Sequence, residues 1–273
     1  MEMIKRLFDF YINSSIHVAL AVVSLGLVTF FHYGLKPDLR LLFFIFFGSI
    51  TGYNFVKYAG VAKLHHRSLA KGLRLIQIFS FISFLFLIWA AFTVELKILI
   101  WAAIFGSLTL LYALPVFSKQ RNLRSISGIK IFIIAFVWAG VTVVLPVVTV
   151  GEVSVVNIVM EFVQRFLLVL AWTIPFEIRD LRYDLLQLGT MPQRVGVTKT
   201  KLLGLALLVA ALLIQIFKPY GTVPALGALA VTIVVSAGFI WKTRERQSSY
   251  YSSFWVEALP IFWLLMLLLT GSL

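Results

Sequence analysis

The chain contains no cysteine. Disulfide bonds, zinc–thiolate centres, covalent haem attachment and iron–sulfur clusters are therefore excluded. Histidine is scarce as well, with four residues in 273, and none of them has the spacing of a metal site on a helix. These absences leave the acidic and basic side chains as the place to look for a functional site.

Charge is also in short supply. Asp, Glu, Lys and Arg make up 13% of the residues, whereas hydrophobic residues make up 61%. A soluble domain is about half apolar and about a quarter charged. Several runs without any charged residue reach the ~20 residues that a helix needs to cross a ~30 Å hydrocarbon core. These runs are 10–35, 75–94, 98–118, 131–151 and 219–241.

Four shorter or interrupted apolar runs complete the set of expected spans: 41–56, 157–176, 202–217 and 254–270. Two of them span if their flanking Lys and Arg side chains snorkel. In the run 157–176, Glu161 and Arg165 are four apart and can pair on one helix face. Glu257, about one turn inside the last run, is expected to snorkel. The sequence therefore predicts an all-α polytopic membrane protein with nine transmembrane helices, in a single membrane domain over residues 1–273.

The basic residues alternate between the loops. One side of the expected membrane carries 19 of the 24 Lys and Arg residues, and the other side carries five. The positive-inside rule then places the N-terminus in the cytoplasm and the C-terminus outside, with the cytoplasmic membrane as the expected location. The net charge of +13 reflects topology and attraction to anionic lipid headgroups. Because this charge is divided among short loops, nucleic-acid binding is a poor interpretation.

Acidic residues concentrate at the cytoplasmic end of the sixth expected span. Of only 11 in the chain, Glu177, Asp180 and Asp184 fall within eight positions. Asp180 and Asp184 are four apart and share a helix face, with Glu177 one turn earlier. Such a face is suited to Mg²⁺, which is commonly bound by one or two carboxylates together with substrate phosphates. The alternative is that Arg179 and Arg182 neutralise the aspartates as surface ion pairs.

The residues that follow carry a family resemblance. The stretch 189–196 reads Gly-Thr-Met-Pro-Gln-Arg-Val-Gly. With the preceding acidic residues it resembles the second aspartate-rich motif of the UbiA superfamily of integral membrane prenyltransferases, D-x-x-x-D, a glycine, then T-L-P-x-x-x-G. The family's Y-S-x-P-x-x-x-K-R segment is similar to a second set of residues, namely Tyr112, Pro115, Lys119, Arg121 and Arg124. The resemblance covers essentially the whole chain and implies a nine-helix UbiA-like bundle.

One family motif is degenerate in this chain. The first aspartate-rich motif, N-D-x-x-D-x-x-x-D, is expected at the end of the second span, over residues 54–62. Asn54 is present there, but Phe55, Tyr58 and Ala62 replace the three aspartates. The chain therefore looks like a divergent member with one of the two acidic motifs intact.

The resemblance implies a reaction and a set of site residues. In the family, the two motifs hold Mg²⁺ ions that bridge the diphosphate of a prenyl donor, and the allylic cation alkylates a lipophilic, usually aromatic, acceptor. For this chain it implies Asp180 and Asp184 as catalytic residues, which hold one Mg²⁺ ion with Glu177 as an extra ligand. The expected diphosphate-binding residues are Asn54, Lys57, Tyr112, Lys119, Arg121 and Arg124.

Two other interpretations stay open at this stage. In the first, the chain is a non-catalytic relative that binds isoprenoid or quinone lipids or scaffolds a membrane partner. In the second, it is a transporter. A transporter would be marked by ionisable residues in mid-membrane, such as Glu161 and Arg165. The enzyme is favoured. Its expected partners are a prenyl diphosphate, a lipophilic acceptor and the lipid bilayer, without nucleic acid.

Overall fold

Long apolar helices dominate the computed structural model of the protein, which describes residues 2–58, 71–114, 128–150, 153–182 and 189–271. Within these ranges no residue belongs to a strand. The helices are α1 (Glu2–Asn13), α2 (Ile16–His32), α3 (Leu39–Tyr58), α4 (Lys71–Ala91), α5 (Leu96–Ala113), α6 (Lys130–Ala139), α7 (Leu145–Val147), α8 (Val155–Asp180), α9 (Met191–Val195), α10 (Val197–Phe217), α11 (Val223–Lys242) and α12 (Leu259–Leu269). A π-helical turn, Gly140–Val144, joins α6 to α7, and a second, Tyr251–Val256, precedes α12.

The helices are long and apolar enough to cross a bilayer. In the described part of the chain, eight spans meet this test on their own, and the α1–α2 pair brings the count to nine if it is one broken span. The predicted class, a polytopic all-α membrane bundle, is confirmed. The helix predicted over 157–176 is longer in the structure and reaches from Val155 to Asp180.

The first apolar run, 10–35, does not form one straight helix. It breaks at Ser15, whose φ of 65° lies in the left-handed region that non-glycine residues seldom adopt. The axes of α1 and α2 differ by 52°. Helix α1 exposes Met3, Ile4 and Leu7 beside its charged residues, as amphipathic helices at a membrane interface do.

Helix α8 lies at the centre of the bundle and packs against α6, α10 and α11. Small residues allow the closest approaches, as is usual between membrane helices. A Cβ atom added at Gly204 of α10 would lie 2.8 Å from the Ile174 side chain of α8. One added at Gly140 would lie 2.1 Å from the Phe105 ring of α5. Both glycines are therefore required by packing rather than by backbone conformation.

A buried ionic network lies in α8 far from Asp180. The Glu161 carboxylate accepts hydrogen bonds from Arg165 Nη2 at 2.9 Å and from Lys218 Nζ at 2.5 Å, and His32 Nδ1 lies 3.1 Å away. The side chains of Glu161, Arg165 and Lys218 are fully buried. Burial lowers the pKa of the Lys218 ammonium, and the Glu161 carboxylate opposes that shift. The predicted pairing of Glu161 with Arg165 is confirmed.

Candidate functional site

The acidic residues lie on the last turn of α8. That helix ends at Asp180, three residues beyond Glu177, so the two carboxylates are neighbours on one face. The Glu177 side chain is 4% exposed and that of Asp180 is 23% exposed. Asp184, the second predicted catalytic residue, lies outside the described residues.

A lysine that sequence reasoning did not select joins this pair. Lys130, the first residue of α6, places its Nζ 3.0 Å from Glu177 Oε1 and 3.5 Å from Asp180 Oδ2. The sequence contained one indication of this role. Lys130 directly precedes the uncharged run 131–151 and lies on the same side of the expected membrane as Asp180. The ammonium shows that the two carboxylates converge on one cation.

The donor set that surrounds Lys130 Nζ also suits a metal ion. Two convergent carboxylates with substrate phosphates are a usual environment for Mg²⁺. The residues present therefore fit one divalent ion, provided that it replaces the ammonium. No group of three acidic, histidine or cysteine side chains arranged for a metal occurs among the residues that the structure describes. The predicted Mg²⁺ ion stays a prediction.

Arg179 contributes a second positive charge. Its Nη2 lies 2.8 Å from Asp180 Oδ1, and its guanidinium lies over the Phe176 ring at 5.2 Å. The expectation of an arginine–aspartate ion pair is confirmed for this residue. Among the described residues, Lys130 and Arg179 thus bring two positive charges into contact with the carboxylates of Glu177 and Asp180.

Asn54 of α3 forms all its hydrogen bonds described here within the protein. Its Oδ1 accepts a hydrogen bond from Ser15 Oγ at 2.7 Å. Its Nδ2 donates to the Ser14 carbonyl at 2.9 Å and to Ser80 Oγ at 2.8 Å. Asn54 thus ties α3 to the α1–α2 break and to α4. Its predicted contact with a diphosphate requires one of these bonds to be exchanged and stays a prediction.

Lys57 lies one turn beyond Asn54 and presents an exposed side chain. Its Nζ donates to Ser15 Oγ at 3.3 Å. Glu257 and Arg179 are both within its electrostatic range. Glu257 is half-buried and within electrostatic range of both Lys57 and Arg179, and its expected snorkelling stays a prediction. It supplies an acidic group near Lys57, the residue that lies within the degenerate motif.

The remaining predicted residues divide between the described and undescribed parts of the chain. Tyr58 donates its hydroxyl to the Asn13 carbonyl at 2.9 Å and so holds the end of α1. Tyr112 is buried on α5 and lies within electrostatic range of Lys130. Phe55 is half-buried. The others, Ala62, Lys119, Arg121 and Arg124, lie outside the described residues.

The residues of the second motif build a compact turn beside the acidic end of α8. Thr190 caps α9, with its backbone N–H bonded to Gln193 Oε1 at 3.0 Å. Gly189 and Gly196 have φ values of 50° and 82°, which favour glycine. Gly128, two residues before Lys130, lies against the Gly189 carbonyl, since a Cβ atom added to it would be 3.7 Å away. The turn therefore packs against the segment that positions Lys130.

These features define a polytopic membrane protein with a charged site at one end of a helical bundle. Among solved structures, that of a digeranylgeranylglyceryl phosphate synthase in membranes shares the fold, with a TM-score of 0.59, 18% sequence identity and coverage of 99% of both chains. At this identity the likeness shows the fold alone, and it confirms the predicted UbiA-like bundle. No family model and no curated protein matches the chain.

Proposed function

We propose that the protein is a membrane prenyltransferase that transfers a polyprenyl group from a prenyl diphosphate to a lipophilic, typically aromatic, acceptor. The observation that carries this proposal is the charged cluster at the end of α8, where Glu177 and Asp180 converge on Lys130. Lys57 of α3 lies within electrostatic range of Arg179 in the same region. This arrangement lies in a bundle whose fold matches that of a digeranylgeranylglyceryl phosphate synthase over its full length. The proposed orientation has the N-terminus in the cytoplasm and the C-terminus outside.

Charge neutralisation is what the reaction requires of the site. Ionisation of an allylic diphosphate leaves about three negative charges, which cationic groups and metal ions stabilise as they develop. Lys57 and Arg179 bring two positive charges to the site, and Lys130 brings a third. We assign Lys119, Arg121 and Arg124 to the same task.

The acidic residues have the complementary role of holding a cation. We assign Asp180 and Asp184 to one Mg²⁺ ion, with Glu177 as an extra ligand. Such an ion, when bound, withdraws electron density from the leaving diphosphate. Tyr53 lies within electrostatic range of Glu257 and Tyr112, so an aromatic ring borders the charged end of the bundle. Aromatic faces stabilise an allylic cation.

A non-catalytic lipid-binding relative is the second candidate. It is favoured by one observation, that Lys130 and Arg179 already neutralise the carboxylates of Glu177 and Asp180. Such a protein would recognise the isoprenoid tail without using the charged end. The transporter interpretation is not retained, because the Glu161 network is enclosed by partners from the protein itself.

The test of the proposed function follows a labelled prenyl group. Purified protein is incubated with labelled farnesyl or geranylgeranyl diphosphate and a membrane extract, and the products are a labelled lipid and free diphosphate. Asp180→Asn should abolish both products, whereas Asp38→Asn, at an exposed ion pair with Arg40, should leave them unchanged. If no product forms while an uncharged isoprenoid raises the unfolding temperature, the native state recognises the tail alone and the lipid-binding candidate is correct.

A further inference from the structure

The chain supplies its own cation to the acidic pair. Lys130 Nζ lies 3.0 Å from Glu177 and 3.5 Å from Asp180, and its side chain is 24% exposed. Glu177 is almost completely buried. A buried carboxylate without a partner is costly, so the ammonium stabilises the pair. Both described carboxylates of the acidic motif therefore contact a cation of the protein itself before any ligand arrives.

A divalent ion and the ammonium compete for the same oxygen atoms. Mg²⁺ binds carboxylate oxygens at about 2.0–2.1 Å and keeps near-octahedral geometry. A metal ion at Glu177 and Asp180 would repel an ammonium that lies about 3 Å from the same oxygens. One cation has to leave, and Lys130 is able to move because its charge stands on a flexible four-carbon stem.

Charge balance decides when this exchange is favourable. Within the group of four contacting side chains, the two carboxylates are matched by Lys130 and Arg179. Mg²⁺ added to these four alone would leave about two positive charges in excess. A diphosphate alone would add about three negative charges. The two together come within about one charge of neutrality, and the diphosphate offers the displaced ammonium a strong charge-assisted hydrogen bond.

We propose that Lys130 is a resident counter-ion that competes with Mg²⁺ for Glu177 and Asp180, so that the metal binds only together with a diphosphate. This inference rests on the proposed function for the identity of the anion. Beyond the proposed function, it specifies that metal and diphosphate bind together. It also identifies Lys130, which lies outside the acidic motif, as a positioning residue. The free protein is then protected from occupation by metal ions in the absence of donor.

The experiment measures the unfolding temperature in detergent with MgCl₂ alone, with sodium diphosphate alone and with both. For the wild-type protein we expect no shift with MgCl₂ alone and a rise when both are present. Lys130→Gln should respond to MgCl₂ alone, at a concentration at least about tenfold below the highest one that leaves the wild-type protein unchanged. Lys130→Arg keeps a cation and should behave like the wild type. Lys199→Gln, at an exposed lysine on α10, is the matched control and should also behave like the wild type.

A wild-type protein that responds to MgCl₂ alone with the same midpoint as Lys130→Gln would overturn the proposal. So would a folded Lys130→Gln variant that ignores MgCl₂. If that variant does not fold, the wild type and Lys130→Arg still test the proposal. Both should respond to MgCl₂ plus diphosphate and not to MgCl₂ alone, and a response of either to MgCl₂ alone would contradict it. Failure of the enzyme proposal has a different signature: no prenyl group is transferred, yet the joint requirement for metal and diphosphate persists.

Discussion

At the scale of single residues, Lys57 provides a direct test of phosphate recognition. Its side chain is exposed and lies within electrostatic range of Arg179, and its charge would act on a phosphate without a metal. Lys57→Ala should weaken the binding of a prenyl diphosphate about tenfold to about a hundredfold, the equivalent of one charge-assisted hydrogen bond. Isothermal titration should show the same loss with and without Mg²⁺. Lys36→Ala, in the loop before α3, is the control, and equal affinities for wild type and Lys57→Ala would contradict the assignment.

Substitution of Asp180 tests the proposed Mg²⁺ binding at the same site. An amide in place of its carboxylate removes one of the two charges that converge on Lys130. Asp180→Asn should therefore abolish the dependence of diphosphate binding on Mg²⁺, measured as the ratio of dissociation constants with and without the metal. Glu245→Gln, a change on an exposed loop, should leave that ratio at its wild-type value. A ratio unaffected by Asp180→Asn would mean that another group holds the metal.

Glu161 tests stability rather than function. Glu161→Gln leaves Arg165 and Lys218 buried without the carboxylate that both contact. Loss of one partner from a buried ion pair costs about 3–5 kcal/mol, so the unfolding midpoint should fall strongly in thermal or denaturant titrations. Glu2→Gln, which removes an exposed partner of Arg6, should change stability by less than about 1 kcal/mol. Equal effects of the two substitutions would show that the network contributes no stability.

The sequence was informative about site residues that are close together in the chain. Glu177 and Asp180 stand out because the helical repeat places both on one face, and the structure places both beside one cation. Lys130 and Glu257 lie outside the acidic motif, and apart from the position of Lys130 before an uncharged run, no local pattern distinguishes them from ordinary interfacial charges. Asn54 was selected as a ligand, but its amide forms three contacts, two of which depend on the break between α1 and α2 and the third on Ser80 of α4.

At the scale of elements, α5 packs closely against the π-helical turn after α6. A methyl group at Gly140 would overlap the buried Phe105 ring. Gly140→Ala should destabilise the protein by about 1–3 kcal/mol, the usual cost of overpacking a core. Gly106→Ala on α5, where an added Cβ meets nothing within 4 Å, should be neutral or slightly stabilising. Thermal unfolding compares the two, and a Gly140→Ala variant as stable as Gly106→Ala would refute this packing.

Elements were predictable where hydrophobicity alone decides. Uncharged runs located the spanning helices, because a segment in lipid has to satisfy its backbone hydrogen bonds internally. The break at Ser15 carries no charge and was invisible to that criterion, since contacts from Asn54 and Lys57 hold the serine hydroxyl. Helix α8 exceeds its predicted length of 157–176. Its charged residues are paired partly within α8 and partly with Lys130 and Lys218, and hydropathy does not register such pairs.

At the scale of the whole molecule, topology is the decisive property. The asymmetry of basic residues predicts a tag before Met1 in the cytoplasm and a tag after Leu273 outside. Reporter fusions at both ends, scored by compartment-specific activity, give the result directly. Both tags on one side would mean that the bent α1–α2 pair does not cross, since the remaining described spans number eight.

The buried network also bears on how the protein enters the membrane. An unpaired charge at the centre of a helix costs about 2.5–3.5 kcal/mol during insertion. Glu161 and Arg165 are one turn apart and neutralise each other inside α8, so the helix carries its own compensation as it leaves the ribosome. Lys218 follows α10 in the chain and joins Glu161 only after that helix has been made. The network between α8 and the residue after α10 is therefore complete only once both helices are present.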